Sequence, residues 1–156
     1  MTISMYDISV AVFSARLKAL ASVLSLAEQN AADRKIDPQV LLTARLAPDM
    51  FALTRQVQIA TDHAKGAPSR LAGREVPKYE DNESTFEELH ARIAKTLDHL
   101  ATFSAADLDG SEERTIELRL AGREVSMAGL QYLLNAAMPN FYFHITTAYD
   151  ILRHNG

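Results

Sequence analysis

The chain has 156 residues, 47% hydrophobic and 23% charged, a composition that excludes a disordered or collagen-like chain. It contains no cysteine, so disulfides, thiolate metal sites and cysteine nucleophiles are excluded together. Lys and Arg number 16 against 20 Asp and Glu, and the net charge of −4 gives no general attraction to nucleic acid or an anionic membrane.

The N-terminus lacks the basic n-region and uninterrupted apolar core of a signal peptide. Arg16 and Lys18 break its apolar run before the ~18 residues of a membrane span accumulate. A cytoplasmic protein without membrane or nucleic-acid partners is expected. No Ser/Gly/Pro-rich linker divides the chain, so residues 1–156 are read as one domain.

Between Ser4 and Ala32, Val10, Phe13, Leu17, Leu20 and Leu24 recur at steps of three and four and predict an amphipathic helix. Asp37-Pro38 reads as an N-cap and first helical residue, opening a short helix through Ala44. Pro48 is predicted to open a second long helix, with Met50, Leu53, Val57, Ala60 and Ala64 on one stripe until Gly66-Ala67-Pro68 disturbs it. The polar stretch Gly73–Ser84 reads as a long loop. Ser84 and Glu87 then have the spacing of a capping box, opening a helix with Phe86, Leu89, Ile93, Leu97 and Leu100 on one face.

Arg114–Leu120 alternates instead, with Ile116, Leu118 and Leu120 opposite Glu117 and Arg119, which is the period of a strand. Ala121-Gly122 offers the turn, and Glu124–Met127 the returning strand. From Ser126 or Met127 a last helix is predicted to run to the C-terminus, kinked or restarted at Pro139. The sum is an all-α protein: a four-helix bundle with a short extra helix and a small β-hairpin before the last helix.

The heptapeptide RLAGREV occurs twice, at Arg70–Val76 and Arg119–Val125, with unrelated flanks. Two copies are too few for a solenoid. The favoured reading is a turn-forming Ala-Gly with charged neighbours used twice; the alternative is a shared ligand site.

Among the five histidines no HExxH or His-x3-His pair occurs. His90 and His99 read as solvated surface, and His154 as a cation suited to the C-terminal end of the last helix. His144 differs: it closes the aromatic run Phe141-Tyr142-Phe143 and shares a helical face with Asn140 at i, i+4. Asp49, Gln56 and His63 recur every seven residues as a polar file beside the apolar stripe. Such a file either lines a pocket or forms an ordinary boundary face. The basic residues around Arg55 and Arg70 are interleaved with Asp62 and Glu75, and no phosphate loop, serine elbow or kinase signature is present.

The stretch ARLAPDMFALTRQVQIATDHAKGAPSRLAG (Ala44–Gly73), with PNFYFHITTAYDILRHNG (Pro139–Gly156), closely resembles an uncharacterised bacterial domain-of-unknown-function family, numbered nineteen ninety-three, within the DinB/YfiT-like superfamily. The resemblance covers essentially the whole chain. It implies a DinB-like four-helix bundle of up-down-down-up connectivity, with a long crossover between the second and third helices. Members of the wider superfamily often bind a divalent metal through three histidines, one on the second helix and a His-x3-His pair on the fourth. Some use that metal to activate a thiol cofactor for transfer or isomerisation.

In this comparison His144 is the only retained ligand position: Asn140 stands at the first position of the pair and Gln56 at the second-helix position. Carboxamides are weak ligands for zinc or nickel. The resemblance therefore implies a degenerate metal site, with no cofactor expected and a divalent metal disfavoured. A pocket of Gln56, Asn140 and His144, with Asp49 and His63 as further candidates, is expected to take a small polar ligand. The alternative is a metal- or thiol-dependent transferase or hydrolase using His144 as general base or ligand. The aromatic run Phe141–Phe143 exceeds what one face of a monomeric bundle needs, so a homodimer is also expected.

Overall fold

The computed structural model describes residues 4–120 and 122–156; the Ala121 half of the expected hairpin turn lies outside them. A π-helical turn, Asp7–Ala11, leads into α1 (Val12–Asp33). There follow α2 (Pro38–Leu42), α3 (Leu53–Leu71), α4 (Phe86–Leu100) and α5 (Ala105–Leu108). The antiparallel hairpin of β1 (Thr115–Leu120) and β2 (Arg123–Ala128) comes next. Helix α6 (Gly129–Tyr132), a second π-helical turn (Leu133–Ala137) and α7 (Met138–His154) complete the chain.

Cross-helix contacts fix the direction of the four long helices. Ser25 meets His90 while Ser4 meets Asp109, so α1 runs antiparallel to α4. Thr61 meets Arg92 and Ser69 meets His99, so α3 and α4 are parallel. Gln56 meets His144 and Arg70 meets Tyr132, so α7 opposes α3. Phe13 packs edge-on against Phe141 at 4.7 Å, and Arg34 reaches the Asn155 carbonyl, so α1 and α7 are parallel. The order is up-down-down-up, and the parallel α3–α4 pair requires the long crossover at Gly73–Ser84.

One apolar core unites the helices, with Leu17 and Leu24 from α1, Val57 and Ala64 from α3, Leu89 and Ile93 from α4, and Phe141 and Ile151 from α7. The continuous helix Asp7–Asp33 is long and apolar enough to cross a membrane, with a mean hydropathy of 1.6 over its best window. Its Phe13–Leu24 stripe is buried in this core.

Several boundaries differ from the sequence reading. Pro48 does not open α3; the segment from Ala44 to Ala52 is irregular and the helix starts at Leu53. The Leu53 N–H bonds the Ala44 carbonyl at 2.9 Å, closing that segment as a loop. Gly66-Ala67-Pro68 does not end the helix, which continues to Leu71 with all three residues buried. Pro68 forfeits one backbone bond near the helix end, where the loss is smallest.

The α4 capping box is shifted by one residue: Thr85 accepts the Glu88 N–H at 3.1 Å, and Glu88 accepts the Thr85 N–H. Ser84 joins it, giving both its N–H and its hydroxyl to the same Glu88 carboxylate, so Glu88 rather than Glu87 takes the reaching role. A short helix that the periodicity missed, α5, carries its own Ser104–Asp107 box. Strand β2 extends to Ala128, and the helix after it begins at Gly129. Pro139 falls in the first turn of α7, directly after the π-helical turn, so the helix restarts there.

The crossover is irregular, as expected, yet strongly tethered. Arg92 of α4 has only 2% of its side chain exposed and pairs with Asp62 at 2.9 Å, Asp81 at 3.1 Å and Glu83 at 2.9 Å. It also donates to the Thr61 hydroxyl and the Glu80 carbonyl. Tyr79 of the same loop lies against three cations, Lys65, Arg92 and Lys95, at 4.3–5.3 Å from its ring centre. One buried guanidinium thus joins α3, α4 and the crossover.

Candidate functional site

Helix α3 presents Gln56 and His63 two turns apart, and antiparallel α7 brings His144 between them. Gln56 is 1% exposed and His144 8% exposed. The Gln56 amide donates through Nε2 to the Phe51 carbonyl at 3.0 Å, which turns its Oε1 toward His144 Nδ1 at 2.6 Å. An amide oxygen only accepts, so His144 Nδ1 carries the proton and Nε2 is the unprotonated nitrogen. The His63 ring stacks beside His144, centres 6.1 Å apart and planes within 16°.

Burial, the neighbouring His63 and the Arg55 guanidinium together lower the His144 pKa to about 4. Burial also lowers that of His63, against the opposing field of Asp62. Both rings are neutral at pH 7.

The remaining candidates lie apart from this pair. Asp49 sits in an exposed turn ahead of α3, because the helix begins four residues later, so the seven-residue file has no helical first member. Asn140 is exposed, and its amide donates back to the Ala136 carbonyl at 2.7 Å, serving the irregular turn before α7. Among the described residues no three His, Asp or Glu side chains converge as a metal site would require. Gln56 and His144 engage each other, leaving one imidazole nitrogen and His63 as the nearby strong donors. That set does not fit the three or four ligands of a transition-metal centre.

His63 also lines a cavity of about 370 Å³ between α3, the hairpin and the π-helical turn before α7. Arg70, Glu117, Arg119 and the buried Tyr132 share that lining. Arg70 Nη1 donates to the Tyr132 hydroxyl at 3.2 Å.

Two groups in this region escaped the sequence reading. Arg92 occupies a position one turn from Leu89 and from Thr96 on the buried stripe of α4, a placement that flags an interior cation. Tyr132 falls where a helix was expected, but nothing in its neighbours marked its hydroxyl. His99, read as solvated, instead contacts the Ser69 hydroxyl at 2.9 Å, and burial lowers its pKa.

The up-down-down-up bundle, the parallel crossover and the hairpin ahead of the last helix define a DinB-like protein. The chain is similar to a DinB family member protein from Shewanella denitrificans, solved by crystallography at 1.83 Å, with 46% identity and a TM-score of 0.87. The match covers 97% of this chain and 85% of that one. The model of the family described as Domain of unknown function (DUF1993) matches residues 5–156, and the chain belongs to that family. No match to a curated protein was found.

Proposed function

We propose that this DinB-like protein works without a transition metal and binds a small polar ligand beside the Gln56–His144 pair. The observation that supports this most directly is the 2.6 Å contact from His144 Nδ1 to Gln56 Oε1. By the resemblance to the wider superfamily, Gln56 and His144 stand at two of the positions that carry metal ligands in its members. A hydrogen-bonded amide and a neutral imidazole form a polar wall, and His63 connects that wall to the adjacent cavity. A pKa of about 4 makes His144 a poor proton acceptor at pH 7, which argues against a general-base role.

Metal analysis of protein purified without chelators tests the reading. The expected result is far less than one zinc or nickel per chain. Near-stoichiometric metal that disappears in His144→Ala would contradict it.

A second reading, self-association, is favoured by Tyr142, Phe143 and Tyr149, which are 39–53% exposed on α7. Leu26 of α1 and Tyr149 line a shared surface groove. A homodimer through this α1–α7 face would cover Leu26 and Tyr149. Sedimentation velocity at micromolar concentration is expected to show a dimer that Tyr149→Asp weakens. A monomer alone would contradict it.

A further inference from the structure

We propose that the cavity between α3, the hairpin and the π-helical turn binds a small organic monocarboxylate, anchored by Arg70 and Tyr132. This rests on the reading above, that the protein takes a small polar ligand, and names its class and its seat.

Arg70 is half-buried, and among the described residues no carboxylate lies within salt-bridge distance of it. By contrast, Arg55, Lys65, Arg74 and Arg92 each hold at least one acid. A partly desolvated cation without a counterion is costly, and an anionic ligand offsets that cost. The Tyr132 hydroxyl, on a residue only 2% exposed, accepts from Arg70 and so keeps its own proton to donate. Guanidinium and phenol together offer the adjacent donors that two carboxylate oxygens require.

The chain also makes room for this arrangement. Arg70 folds back over Gly66, one turn earlier, where a Cβ would stand 2.5 Å from its Nη1. Glycine there permits the guanidinium to occupy its present place.

The duplicated heptapeptide gains a meaning from the fold. Both leading arginines, Arg70 and Arg119, line this one cavity. In both copies the glycine adopts positive φ, 67° at Gly73 and 80° at Gly122, so a shared turn preference coexists with a shared site. Arg119 Nε donates to the Gly122 carbonyl at 3.1 Å, which leaves its terminal nitrogens uncommitted to that bond.

The other charges narrow the ligand class. Asp62 is held by Arg92 and Lys65. Glu117 adds a negative charge to the lining and opposes a dianion such as phosphate. Leu118, Ala136 and Ala137 supply apolar wall, which favours an organic body over an inorganic ion. His63 is neutral at pH 7 and adds no competing charge.

The test is a ¹H–¹⁵N NMR titration with propionate, inorganic phosphate and propylamine, on wild type, Arg70→Gln and Gly66→Ala. Propionate is expected to shift the Arg70 Nε–H and the Ala136 and Ala137 amides saturably, with a Kd on the order of 1 mM for so small a ligand. Phosphate and propylamine are expected to bind at least about tenfold more weakly, and each variant to weaken propionate about tenfold. Gly66→Ala improves helix propensity, so its loss of binding would reflect the displaced guanidinium rather than failure to fold. No saturable shift, preferred binding of phosphate, or unchanged affinity in both variants would overturn the proposal. Metal content measured on the same samples separates the two levels. Metal-free protein that ignores propionate overturns this inference alone, whereas stoichiometric metal overturns the reading beneath it.

Discussion

Arg92→Met is expected to destabilise the protein by about 3 kcal/mol, the low end of the range of about 3–5 kcal/mol for removing one partner of a buried ion pair, since the Asp62 and Asp81 side chains are each 37% exposed. Arg92 is almost wholly enclosed and faces Asp62, Asp81 and Glu83 at 2.9–3.1 Å. Methionine fills much of the same volume, so the loss is electrostatic rather than a cavity. The acids are not wholly abandoned: Asp62 retains Lys65, Asp81 retains Arg55, and Glu83 retains the Gln58 amide. The effect should therefore fall toward the lower end of the range. The crossover would also lose the cation that ties it to α3 and α4, and protease cleavage within Gly73–Ser84 should accelerate in step. Urea unfolding with an unchanged midpoint and an uncut crossover would show that the network does not hold the loop.

The second large effect is acid sensitivity above the carboxylate range. In the unfolded chain His144 titrates near its ordinary value of 6.5, and in the folded protein at about 4. Between those values the unfolded state binds more protons, so stability is complete above pH 6.5 and falls as pH drops toward 4. The shift corresponds to roughly 3 kcal/mol for this buried ring as an upper figure. His63 and His99, also lowered by burial, contribute in the same direction. Asp81, exposed yet partly desolvated, is still held low by Arg55 and Arg92 and keeps its contribution until more acidic pH, which separates the two windows. Urea midpoints measured from pH 7.5 to 4.5, a span of about three units bracketing the ordinary His value, should fall in wild type and fall less in His144→Gln. Parallel curves would contradict the assignment to His144.

Much of the bundle was readable because its signals are local and periodic. Phe13, Leu17, Leu20 and Leu24 repeat at helical spacing, and they are the buried stripe of α1. Ile116 and Leu118 alternate with charges, and they lie on β1. Boundaries slipped where two local signals competed. Pro48 is a good first helical residue, yet the Ala44–Leu53 backbone contact closes a loop there. Gly66 and Pro68 are helix breakers in isolation, but burial against the core carries α3 past them.

The site was less legible, because it depends on which turns of α3 and α7 face each other. Gln56 and His144 are 88 residues apart in sequence and 2.6 Å apart in the fold. The spacing that joined Asp49 to Gln56 assumed a helix that had not yet begun. Asn140 shares a helical face with His144, but the irregular backbone ahead of Pro139 draws its amide to the Ala136 carbonyl. The two arginines of the repeated heptapeptide were visible, while their meeting in one cavity required the hairpin to fold against α3.

The proposed metal-free function turns on the Gln56–His144 hydrogen bond, at positions where the resemblance implies metal ligands in the wider superfamily. Long-range ¹H–¹⁵N correlation spectra of the His144 ring, recorded across pH and with equimolar zinc, test it most directly. The expected result is a neutral ring with its proton on Nδ1, an apparent pKa of about 4, and no response to zinc. A proton on Nε2 at neutral pH, or a zinc-induced shift of a His144 ring nitrogen at equimolar metal, would contradict it.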